Sequence, residues 1–81
     1  MTLATLKNAN RVIGIKQVTK AVKRGNAENV FIATDAEKRV TDPIKELCEE
    51  MDVPVQEGFM MKELGEACKI EVGAAAVAVL K

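Results

Sequence analysis

Four cations at helical spacing between two glycines are the residues of this chain best suited to chemistry. The segment Gly14–Gly25 reads GIKQVTKAVKRG and holds Lys16, Lys20, Lys23 and Arg24 with no acidic residue. At about 100° per residue, the three lysines fall in one narrow stripe with Arg24 beside it. Val18, Ala21 and Val22 fall on the opposite side, where they can face a core. Lysine offers only donors, suited to phosphate oxygens or to guanine O6 and N7. Gln17 brings both a donor and an acceptor and could read a base edge. The helix starts after Gly14, so its first-turn N–H groups and the positive end of its dipole gather at Gly14–Gln17, a place phosphates favour. The pattern points to a nucleic-acid reader; a solvated basic face on an amphipathic helix is the plainer alternative. The segment is not a P-loop, because Thr19 rather than glycine precedes Lys20.

Other chemistries find little support. The chain has no histidine, and its two cysteines, Cys48 and Cys68, show no CxxC spacing. That removes the usual zinc sets and the Cys–His nucleophile pair. Both cysteines occupy apolar positions of predicted helices and are expected to be reduced core residues. No metal, cofactor or catalytic group is expected, and the chain does not read as an enzyme. The 81 residues fit one domain, 1–81, without an apolar run long enough for a membrane span or a secretion signal. A cytoplasmic protein is the expectation.

Lysine plus arginine balances aspartate plus glutamate at twelve each, but the charges are segregated. Residues 1–25 hold six bases (Lys7, Arg11, Lys16, Lys20, Lys23, Arg24) and no acid, leaving all twelve acids to the remainder. A zero total argues against indiscriminate coating of nucleic acid, whereas segregation suits a local, oriented basic face. The only aromatic residues are Phe31 and Phe59. Phe31 sits in the most apolar run, and Phe59 is expected to plug a sheet–helix interface. Readers that stack single-stranded bases on aromatic platforms are therefore disfavoured. Recognition of a folded RNA, or of a duplex backbone, by shape and charge remains.

The elements that must position these residues alternate. Residues 2–9 read as a short helix, Arg11–Ile15 as a brief strand, and the basic helix ends at Gly25, a C′ glycine. Asn26–Asn29 reads as a turn and Val30–Thr34 as a strand covered on both faces. A charged loop over Asp35–Val40 leads to a helix opened by Asp42 and Pro43 as cap and first helical residue. Its buried stripe is Ile44, Leu47, Cys48 and Met51. Val53–Val55 is a short strand, Met60–Lys69 a helix using Met61, Leu64 and Cys68, and Ala74–Leu80 a closing strand. The order α-β-α-β-α-β-α-β predicts a three-layer α/β/α sandwich around a central mixed sheet of about four strands.

A second segment, Leu64–Val79, is poor in bulk at Gly73–Ala76. Small residues there let a helix pack close on the sheet, and the same loop, Ile70–Gly73, is a candidate ligand contact. The two segments together resemble the kink-turn-binding ribosomal-protein family of the L-seven-Ae and L-thirty-e type. That family carries a G-x-N-E-x-x-K helix start and, far downstream, an L-G-x-A-x-x-I-x-V-x-A-A-x-V loop and strand. This chain reads GIKQVTK at Gly14–Lys20 and LGEACKIEVGAAAV at Leu64–Val77. The similarity spans essentially the whole chain and is greatest to the short bacterial, YbxF-like branch.

The resemblance implies the same α/β/α sandwich and an RNA partner whose bulge and tandem sheared G·A pairs bend a duplex sharply. Ribosomal RNA and riboswitch-type RNA both carry such kink-turns. By position, Gly14, Lys16, Gln17 and Lys20 would form a first patch at the G·A pairs, and Ile70, Glu71 and Val72 a second at the bulged nucleotides. Asp35 corresponds to an acidic residue near the site in relatives. No membrane partner is implied, and the protein is expected as a monomer. Lys16 and Gln17 replace the family's asparagine and glutamate. An amide offers one acceptor oxygen where a carboxylate accepts from guanine N1–H and N2–H together. Stronger salt dependence and looser reading of the G·A pairs are the expected consequences. The alternative is a protein-interaction module of the same fold, with the acidic helix around Lys45–Asp52 docking a basic partner.

Overall fold

Strict alternation along two apolar strands sets the layers of this molecule. In the computed structural model, which describes residues 10–81, the elements are β1 (Arg11–Ile13), α1 (Ile15–Lys23), β2 (Ala27–Ala33), α2 (Lys38–Glu50), β3 (Val55–Phe59), α3 (Met61–Ala67) and β4 (Ala76–Leu80). The strands form one mixed sheet in the order β1-β4-β2-β3; β4 runs antiparallel to β1 and β2, and β3 parallel to β2. Val30 and Ile32 of β2, with Ala76 and Ala78 of β4, face α1 and α2 and pack on Val18, Val22, Ile44 and Cys48. Phe31, Ala33, Val77 and Val79 face the other way and pack on Leu64 and Ala67 of α3 and on its C-cap, Cys68. The three-layer α/β/α sandwich and the doubly covered central strand are as expected from the apolar runs.

Boundaries differ for local reasons. β1 stops at Ile13 because Gly14 turns the chain, so Ile15 starts the helix instead of ending a strand. β2 begins at Ala27 rather than Val30; its first residues pair with Leu80 and Val79, and the irregular register around Glu28 masks the alternation. The helix expected from Asp42 begins at Lys38 and keeps Pro43 inside it. Proline there lacks the N–H that would reach the Arg39 carbonyl, but Arg39, Asp42 and Pro43 are all exposed, which leaves that carbonyl open to water. Buried Thr41 anchors the first turn. Met51, expected in the buried stripe of α2, is the C-cap and is 43% exposed. β3 covers Val55–Phe59 rather than 53–55, a half-exposed edge strand without apolar periodicity. α3 ends at Ala67 and β4 starts at Ala76, each shorter than expected. The predicted helix over 2–9 lies outside the described residues.

The three helices among the described residues end in the same reciprocal pair of hydrogen bonds, a Schellman motif. After α1, Gly25 N–H donates to Val22 C=O and Asn26 N–H to Ala21 C=O (both 3.0 Å). The positive-φ residue is Gly25 (φ 72°) after α1, but Asp52 (φ 55°) after α2 and Lys69 (φ 61°) after α3. Cys48 and Cys68 are free and buried, on opposite faces of the sheet, as expected. Burial pushes both thiols above their ordinary range, and nearby Arg11 partly offsets this at Cys68. No helix among the described residues is long and apolar enough to cross a membrane.

Candidate nucleic-acid interface

The strand directions bring the two sequence-predicted patches to one end of the sheet. β1, β2 and β3 finish there and β4 begins there. Gly14 N–H donates to Ala76 C=O (3.0 Å) and Ala33 N–H to Ala75 C=O (2.9 Å), so the start of α1 is tied to the end of the loop that carries Ile70–Val72. The patches approach this end from opposite faces of the sheet, since α1 covers one and α3 the other.

In the first patch, Gly14 is the N-cap of α1 at φ 100°, ψ 156°, a region open in practice only to glycine. No side chain caps this helix, and its first turn carries no acid. The first-turn N–H groups therefore face outward with the positive end of the dipole behind them. A side chain at position 14 would meet nothing within 4 Å, so the approach is open. Lys16, Gln17 and Lys20 are exposed, while Val18, Ala21 and Val22 are buried, as the helical wheel requires.

The second patch rests on a close backbone contact. A Cβ on Gly65 of α3 would lie 2.2 Å from the Val72 carbonyl oxygen, so only glycine lets the loop lie flat on the helix. Ile70 N–H donates to Gly65 C=O (3.0 Å), and its side chain packs partly into the α3-side core. Ile70 thus divides its surface between core and solvent. Glu71 is exposed, and Val72 is 71% exposed, the most exposed of the large apolar side chains described. These residues line a cleft of about 300 Å³ with Asp35, Met61, Lys62 and Glu66. Three carboxylates against one lysine make this a poor phosphate seat. Acceptors beside an apolar wall suit a nucleobase with its N–H donors and flat face instead.

Asp35 joins this cleft and also helps to hold the fold, since its Oδ1 accepts from Met61 N–H (2.8 Å) at the start of α3. Glu63 Oε1 accepts from Met60 N–H (3.0 Å) in the same turn. Thr34 and Met60 follow β2 and β3 at the same end of the sheet, where Thr34 N–H donates to Phe59 C=O (2.8 Å) and Met60 is 48% exposed. Neither residue type signals this position in sequence; it follows from where β2 and β3 end together. Phe59 packs on Phe31 with ring centroids 5.7 Å apart, inside the α3-side core, so neither ring is a stacking platform. Arg11, counted with the basic half, points inward and donates from Nη2 to the Cys68 carbonyl (2.9 Å).

Known proteins resemble this chain in sequence and in fold. Residues 2–81 match the model of the ribosomal protein L7Ae/L30e/S12e/Gadd45 family. The RNA-binding protein YbxF of Geobacillus stearothermophilus is 47% identical over 70 residues, 86% of this chain and 85% of that protein. An RNA-binding protein of Geobacillus sp. (strain WCH70) is 45% identical over 76 residues, 94% of this chain and 93% of its relative. Among solved structures, the Giardia lamblia 15.5kD RNA binding protein superposes with a TM-score of 0.80 at 31% identity, covering 98% of this chain and 70% of that one. A Bacillus halodurans protein has the same fold, with a TM-score of 0.89 at 24% identity over 98% of this chain and 83% of its own.

Proposed function

We propose that this chain, which belongs to the ribosomal protein L7Ae/L30e/S12e/Gadd45 family and stands with its YbxF-like members, binds structured RNA by recognising kink-turns. It is a binding protein and not an enzyme. The observation that carries the reading is the convergence of two chemically unlike patches on one end of the sheet. Gly14, Lys16, Gln17 and Lys20 offer N–H groups, cations and one amide, which suits phosphates and the G·A base edges. Ile70, Glu71 and Val72 offer acceptors and an apolar wall, which suits an unpaired base. A straight duplex presents phosphates but no splayed base, and a single strand presents bases without a fixed backbone beside them. A bulge next to a bent duplex presents both.

Binding of this kind shifts a shape equilibrium. Bending packs the phosphates of two helices together, which costs electrostatic energy unless cations intervene. A protein that contacts only the bent form stabilises it by its differential affinity. Fluorescence anisotropy against two hairpins of equal length tests this, one with a kink-turn and one with its G·A pairs replaced by Watson–Crick pairs. Strong preference for the first is expected. Weak and equal binding to both would reduce α1 to a generic basic surface and overturn the proposal.

A further inference from the structure

We propose that two copies of this chain pack face to face through the outer surface of α1 and α2, as a weak dimer that RNA takes apart. β1 and β2 both run antiparallel to β4, and α1 and α2 follow them on the same face of the sheet. The two helices therefore start at the same end and run parallel. Between them lies a cleft of about 270 Å³, lined by Thr19 and Lys23 of α1 and by Pro43, Glu46, Leu47 and Glu50 of α2. Lys16, Lys20 and Lys23 are exposed along α1, and Asp42, Glu46 and Glu50 recur every fourth residue, also exposed, along α2. A row of cations thus stands beside a row of carboxylates, with Pro43 and half-buried Leu47 in the cleft. None of these six charges makes an ion pair among the described residues, where Arg39 is paired with Glu37 and Lys45 with Glu57.

Two opposite rows side by side make a surface complementary to itself. A two-fold axis along the cleft lays each α1 over the partner's α2 and makes every contact twice. An axis across the cleft would lay α1 on α1 and set lysines against lysines. Charge therefore selects the first arrangement. Thr19 and Lys23 share the cleft with Pro43 and Leu47, and parallel helices of equal rise keep that offset. Rotation about the cleft preserves it, so Lys20 meets the partner's Asp42 and Glu46 while Lys23 meets the partner's Glu46 and Glu50. The surface is small, because α1 has nine residues, about 13 Å of helix. That falls well short of the ~1,200 Å² buried in stable interfaces, so the dimer dissociates on dilution. Lys20 belongs both to this surface and to the RNA patch at the start of α1. Bound RNA takes a cation that the dimer needs. The competition, unlike the dimer, rests on the RNA-binding reading.

Sedimentation velocity of the whole chain at high concentration tests the dimer. Self-association is expected in about 20 mM salt and should weaken on the order of tenfold in about 300 mM, where screening is several times shorter in range. Two charge-swapped chains, Lys23→Glu and the pair Glu46→Lys with Glu50→Lys, are first shown to be folded by circular dichroism. Each alone should be monomeric, since like charges now face one another across the axis. Mixed one to one they should dimerise again, because every contact regains opposite charges. A wild type that stays monomeric in low salt would overturn the dimer. So would variants that associate as the wild type does, or a folded mixture that stays monomeric. An equimolar kink-turn hairpin added to the wild type should leave one protein per RNA, whereas dimers carrying two hairpins would overturn the competition. The kink-turn reading is judged separately, in dilute protein, by the preference for a kinked over a Watson–Crick hairpin.

Discussion

Gln17 and Lys20 sit one turn of α1 apart, yet their chemistry predicts different failures. Lys20 is a point charge with donors only, so Lys20→Ala should weaken all RNAs together and lower the salt slope by about one or less. Gln17 carries an acceptor and a donor, so Gln17→Ala should reduce the preference for intact G·A pairs while leaving the salt slope in place. Uniform weakening by Gln17→Ala would remove its base-reading role. Gly14 differs again, because its conformation and not its chemistry is used. With φ near 100° and open space where a Cβ would go, Gly14→Ala should cost about 1–3 kcal/mol in backbone strain, read as a lower urea midpoint. The exposed cations are legible in the sequence because a helical wheel separates them from Val18 and Val22 without any tertiary knowledge. The helix-capping role of Asp35 is not, because its partner Met61 lies 26 residues away and meets it only where β2 and β3 end together.

At the scale of elements, the legible pieces are those whose apolar residues repeat. VFIAT at 30–34 announces a strand buried on both faces, AVAVL in β4 announces a strand, and α1 announces its own end with Gly25. The extent of β3 is hidden because an edge strand reading VQEGF has no periodicity. The start of α2 is hidden because an exposed proline is tolerated inside a helix whose lost bond water can replace. The helix ends lead to a stability prediction. Lys69 holds a left-handed conformation with a full side chain, at a cost that glycine avoids. Lys69→Gly should therefore raise stability by roughly 0.5–1 kcal/mol, and Asp52→Gly by less, since aspartate tolerates this region better. Thermal unfolding of the two variants orders them. Gly65→Ala should act the other way: a methyl 2.2 Å from the Val72 carbonyl must displace the loop, destabilising by about 1–3 kcal/mol and weakening RNA binding even where the fold survives.

Across the whole molecule, the two cysteines place one thiol in each of the two cores. Cys48, on α2, faces the core beneath α1 and α2, and Cys68, the C-cap of α3, faces the core on the other side of the sheet. Burial raises both above the ordinary thiol range, so the native state holds these protons at pH values where the unfolded chain releases them. Stability contributed by the neutral thiols is fully present below about pH 8.5. It falls as pH rises toward their native-state values, by at most about 1.4 kcal/mol per pH unit for each thiol. The chain has no histidine and no tyrosine to add to this window. Lys45, raised further chiefly by its hydrogen bond to Glu57, keeps its charge through the window. Urea unfolding under reducing conditions at pH 7 and at about pH 9.5 should show the wild-type midpoint falling, while a Cys48→Ala, Cys68→Ala double variant, less stable at pH 7, loses little more. An equal loss in both proteins would mean that alkaline sensitivity comes from the segregated surface charge instead. Charge on α1 and α2 would then limit the stability of the fold as well as steer its partner.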